Sequence, residues 1–141
     1  MTANVNLLAV VLAAVSSMVV GSLWYMPQVF GNSWTKLTKS KMGKGAAPDK
    51  LAWMYGSVFV ASLITAFVLA RVAFLANHYF GNSFLMDSMS TGFWLWLGFT
   101  ATRLYVHDTF EERKQQLTLL NSAHELVTIL VMAAIIGLIK P

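Results

Sequence analysis

The sequence predicts an all-α fold, an integral membrane bundle of four transmembrane helices with a short interfacial helix after the first. Three observations carry this. Val5 to Trp24 and Leu51 to Ala70 hold no charged residue, and Phe84 to Val106 and Leu117 to Ile139 are as long, with charges mainly toward their ends. A helix needs about 20 apolar residues to cross about 30 Å of hydrocarbon, and none of these runs alternates with the period of two that marks a barrel strand. The chain of 141 residues is 57% hydrophobic and 11% charged, where a water-soluble domain is about one-quarter charged. The ten basic residues are also lopsided. Lys36, Lys39, Lys41, Lys44 and Lys50 lie between the first two spans, and Arg103, Arg113 and Lys114 lie between the last two; only Arg71 and Lys140 fall on the other side.

The four spans, about 5–24, 51–75, 84–106 and 117–139, fill one membrane domain over residues 1–141 and leave no length for a soluble one. The positive-inside rule puts the loops 25–50 and 107–116 in the cytoplasm and both termini outside, a multi-pass arrangement in the cytoplasmic membrane. The same rule accounts for the basic surplus, so nucleic acid is not an expected partner. A cleaved leader fits poorly, because no Lys or Arg precedes Lys36 and the first apolar run is too long for one.

In the first span Ala13, Ser17 and Gly21 recur every four residues and line one helix face. Small faces let helices approach closely in lipid, so this one serves either the bundle or a second copy. Trp24-Tyr25-Met26-Pro27 closes the span: aromatic rings favour the headgroup level and Pro27 disfavours helix at Met26. Val29, Phe30, Trp34 and Leu37 then form an apolar face beside Lys36 and Lys41, the pattern of a helix lying on the membrane surface. Lys39 to Lys50 reads as a basic turn; Lys44 follows Gly43 without Walker spacing, so a phosphate loop is not indicated. Arg71 ends the second span, where its long stem reaches the interface. A short outer turn over 77–83 leads into the third span with Phe93, Trp94, Trp96 and Phe99. The charged loop 107–116 precedes the fourth, which carries His124 and Glu125. No internal repeat links the two hairpins, which weakens an inverted-repeat transporter.

Gly21-x-x-Trp24-Tyr25-x-Pro27-x-x-Phe30-Gly31-x-x-Trp34 resembles the opening signature of a bacterial four-span family, domain of unknown function 1761. Trp96-x-Gly98-Phe99, Phe110-Glu111, Leu120-Asn121, Val131-Met132 and Ile135-Ile136-Gly137-Leu138 agree with it, so the resemblance covers nearly the whole chain. It implies a small four-helix membrane protein and supplies no activity or catalytic residue. His124 and Glu125 stand outside that pattern.

Glu125 falls roughly 6 to 13 Å inside the bilayer at about 1.5 Å per residue. A lone carboxylate there costs on the order of 2.5 kcal/mol or more, so a partner is required, and Arg103 at matching depth on the antiparallel third span is the expected one. Arg103, Asn121, His124 and Glu125 make the candidate intramembrane polar cluster, read either as a titratable or solute-anchoring site or as an ion pair that fixes helix register. Arg71 and Asp87 make an expected outer ion pair at the rim. His107 and His124 lack any zinc spacing, and no metal or other cofactor is expected. Trp94 and Trp96 are two apart and point to different sides, which argues for packing and lipid contact over a shared ligand pocket. With no cysteine and no nucleophile elbow, no catalytic constellation emerges. The expectation is a non-enzymatic interaction subunit of a homo-oligomer or a larger membrane complex. Its partners are the lipid bilayer, anionic headgroups at the basic loop, and other membrane helices. A small oligomeric transporter or channel with a polar path at Glu125 and Arg103 is the alternative; an intramembrane glutathione-type enzyme, suggested by Glu112-Arg113 with Asn121 and Glu125, is the weakest reading.

Overall fold

A computed structural model describes residues 4–40 and 44–141, so Lys41 and Gly43 of the expected basic turn lie outside the described residues. The described residues form helices and no strand: α1 (Leu7–Trp24), a π-helical turn (Pro27–Gly31), α2 (Asn32–Thr38), α3 (Pro48–Phe80), α4 (Phe84–Leu95), a π-helical stretch (Trp96–Ala101), α5 (Thr102–Phe110) and α6 (Gln115–Ile139). α4, the π-helical stretch and α5 run on from one another as a single rod over 84–110. Three helices, α1, α3 and α6, are long and apolar enough to cross a membrane, with mean hydropathies of 2.2, 2.3 and 2.0. The chain is thus an all-helical protein of membrane type.

Local chemistry sets the boundaries. The Asn6 side chain caps α1 by accepting from the Leu8 and Ala9 amides, which starts the helix two residues later than the apolar run. Pro48 opens α3 near its first helical position, where no amide is needed. Gly81 ends α3 in the left-handed region at φ 69°, a conformation glycine adopts without steric cost. α3 is therefore 33 residues long, about 50 Å at about 1.5 Å per residue, and extends beyond the expected 51–75 at both ends. Ser83 caps α4 by accepting from the Met86 amide.

α1 packs between α3 and α6, and α4 packs between the same two helices. The Asn6 amide donates to the Lys140 carbonyl at 3.0 Å, so the start of α1 and the end of α6 share one end of the bundle. The core lies at that end. Ala9, Val10 and Ala13 meet Ala66, Leu69, Ala70 and Ala73, with Phe84, Met132, Ala133 and Ile136 closing it. The small face of α1, Ala13 and Ser17 included, is buried within the bundle; it serves intramolecular packing. α4 approaches α6 as closely: a Cβ on Gly137 would lie 2.7 Å from the Leu85 Cα. At the opposite end α3 leans free, and over 51–65 no side chain is buried.

Candidate functional site

The motif at the end of α1 folds back on itself before meeting α6. The Gly31 amide donates to the Met26 carbonyl at 2.9 Å, across five residues, which closes the π-helical turn. A Cβ on Gly31 would sit 2.2 Å from the Tyr25 carbonyl oxygen, so this close approach admits only glycine. The turn stacks Phe30 on Trp24, ring centroids 4.5 Å apart, and Trp34 edge-on to Tyr25 at 5.5 Å.

His124 of α6 enters this aromatic group. Its ring lies 5.8 Å from Trp24 and 5.0 Å from Tyr25, beside Gly21, whose missing side chain leaves the imidazole room at 3.6 Å. The Tyr25 hydroxyl donates to the Asn121 side-chain oxygen at 3.3 Å. The Thr128 hydroxyl donates to the His124 carbonyl at 2.9 Å. Burial, reinforced by the nearby Glu125 carboxylate, pushes the Tyr25 phenol up to about 12, so it remains a neutral donor. The Trp24 indole nitrogen and His124 Nδ1 are buried without a hydrogen-bond partner. Glu125 comes within 3.4 Å of Nδ1 but makes no hydrogen bond to it, and its side chain is 47% exposed.

The structure thus brings Gly21, Trp24, Tyr25, Phe30, Gly31 and Trp34 together with Asn121 and His124, and Pro27 opens the turn that folds them. It does not bring Arg103 to Glu125. Arg103 is exposed, and the Arg–carboxylate pairs among the described residues are Arg113–Asp108 and Arg113–Glu111. Nor do Arg71 and Asp87 pair. Asp87 is buried and accepts from the Asn77 and Asn82 amides, one on each oxygen, at 2.8 and 2.9 Å. Arg71 is exposed, its guanidinium 5.7 Å from the Phe67 ring centre. Two neutral donors held by the short turn satisfy that carboxylate and leave the arginine free to point outward.

Other contacts carry no sequence signal. Asp108, at the end of α5, is buried and accepts from the Thr118 hydroxyl at 2.7 Å, which pins α5 to α6. The Trp96 indole donates to the Ser122 carbonyl at 2.9 Å, while Trp94 faces outward, as their spacing requires. Among the described residues no three His, Asp or Glu side chains gather as a metal site.

Over residues 8–137 the chain matches the family model described as a protein of unknown function, DUF1761. No curated protein matches it, and no solved structure does.

Proposed function

The chain belongs to the DUF1761 family, and on that premise we propose that it is a non-enzymatic interaction subunit of the bacterial cytoplasmic membrane. It works by helix–helix contact within a homo-oligomer or a larger membrane complex. The rod over 84–110 is the third of four spans, beside α1, α3 and α6. Its three stretches of 12, 6 and 9 residues together reach about 40 Å at about 1.5 Å per residue, enough for a bilayer. α2 lies on the cytoplasmic surface, with Trp34 and Leu37 half-buried and Lys36 exposed. Both termini face outward, and the basic loop attracts anionic headgroups.

One observation carries this reading. Polar side chains here hold helices together, Tyr25 with Asn121 and Trp96 with Ser122, while α3 over 51–65 offers a long, mostly exposed apolar face with no fully buried side chain. Small residues on that face, Ala52 and Gly56, are one helical turn apart, and a Cβ on Gly56 would meet nothing within 4 Å. Such faces suit close helix pairing in lipid. The test is isolation at native abundance of two differently tagged copies. Co-isolation of the copies, or recovery of a defined larger complex, supports the subunit; a chain recovered alone overturns it.

The half-exposed Glu125 carboxylate favours a second reading, a small oligomeric transporter or channel. Proton or ion flux into proteoliposomes that Glu125→Gln abolishes supports it. Flux unchanged by that substitution removes the path.

A further inference from the structure

Arg103 and Glu125 have opposite charges, lie on the bundle surface and have no ion pair with each other. They also stand at one level. The Thr118–Asp108 hydrogen bond fixes the register of α5 against α6. From Asp108 back to Arg103 the helix climbs about 7 Å away from the charged turn, and from Thr118 on to Glu125 it climbs about 10 Å, at about 1.5 Å per residue. Both charges therefore sit inside the loop-bearing face of the bundle, within about 3 Å of the same depth. A charge at such depth is costly unless it is paired or reaches the interface. Among the described residues Arg103 meets no carboxylate, and Glu125 approaches the adjacent imidazole without a hydrogen bond and pairs with no Lys or Arg.

We propose that a second copy of this chain completes both charges, Arg103 of each copy pairing with Glu125 of the other. The proposal rests on the assembly proposed above and adds to it a contact on α5 and α6. Charge complementarity at a common depth selects the occupant: a like copy offers the missing partner at the level where it is required, in lipid that gives the pair little screening. Arg103 has a planar guanidinium suited to a two-pronged bond with a carboxylate. Such a pair sets the register and orientation of the interface.

The chain has no cysteine, so a disulfide between copies reports engineered positions alone. Val106 is exposed and Ser122 is half-buried. Each lies about one helical turn from its charge, on the same helix face and toward the loops. Copies carrying Val106→Cys are mixed with copies carrying Ser122→Cys in phosphatidylethanolamine–phosphatidylglycerol vesicles and oxidised. The expected result is a covalent heterodimer. Arg103→Glu in the first copy lowers its yield at least tenfold, and Glu125→Arg added to the second copy restores it; restoration by a change in the other molecule excludes misfolding as the cause. A heterodimer indifferent to charge reversal overturns the pairing and leaves the assembly standing. No heterodimer from copies that do co-isolate has the same meaning. Copies that neither cross-link nor co-isolate overturn both.

Discussion

Gly31 and Gly21 are both part of the signature, yet they bear different loads. A methyl group on Gly31 meets backbone, the Tyr25 carbonyl oxygen at 2.2 Å and Met26 at 2.8 Å, and backbone cannot rotate aside. Gly31→Ala is expected to destabilise the protein by about 2 kcal/mol or more, in the upper range of overpacking, and to loosen Trp34 from Tyr25. Gly21→Ala places a methyl at an ordinary contact distance, 3.6 Å from His124 Nε2, and is expected to stay within about 0.5 kcal/mol. Denaturant titration of both variants in micelles, followed by tryptophan fluorescence, decides between them. Tyr25 gives a pH prediction. Its phenol holds its proton to about 12, whereas an unfolded tyrosine releases it near 10. The folded state binds that proton more tightly, so its contribution to stability is complete below about pH 10 and is lost as pH rises toward 12. Absorbance at alkaline pH, with the Tyr25→Phe trace subtracted, is expected to show this tyrosine ionising near 12. The signature residues were legible in the sequence as a group. Their meeting with α6 was not, because Tyr25 and Asn121 are 96 positions apart and no local pattern encodes a contact of that range.

At the scale of elements, the two short turns are organised by single carboxylates. Asp87 gathers Asn77 and Asn82 across the turn between α3 and α4, and Asp108 gathers Thr118 across the turn between α5 and α6. A double-mutant cycle on Asp108→Ala and Thr118→Ala is expected to give a coupling of about 1.5 kcal/mol, the lower range for a hydrogen bond to a charged group; a coupling near zero means that the two changes act independently. The order of the helices and the apolar character of α1, α3 and α6 were readable from hydropathy; the length of α3 was not, because Pro48 and Gly81, rather than the apolar run, set its ends. The Arg103–Glu125 pair expected from matching depth did not form. Depth is a function of position along a helix, but pairing also needs the right side of it, and the π-helical stretch Trp96–Ala101 departs from the 3.6-residue rotation by which sides are reckoned. No pattern in Trp96-Leu97-Gly98-Phe99 announces that stretch.

The whole molecule is asymmetric along its axis: a tight alanine-rich core sits at the end where α1 begins and α6 finishes, and the loop-bearing end is more open, held by rings and single hydrogen bonds. With the proposed orientation, Asn82→Cys is expected to react in intact cells with a membrane-impermeant maleimide, and Lys36→Cys only after the cells are opened. The reverse pattern inverts the topology and moves the basic loop away from anionic cytoplasmic headgroups.

The Asn6–Lys140 hydrogen bond has a bearing on biogenesis. α1 is latched to α6, which is made after it, and the Trp24–Tyr25 pair receives its histidine from that same later helix. A nascent chain halted before α6 therefore lacks the Met132, Ala133 and Ile136 side of its core and leaves Trp24 without its histidine. Closure of the bundle thus waits on the synthesis of α6.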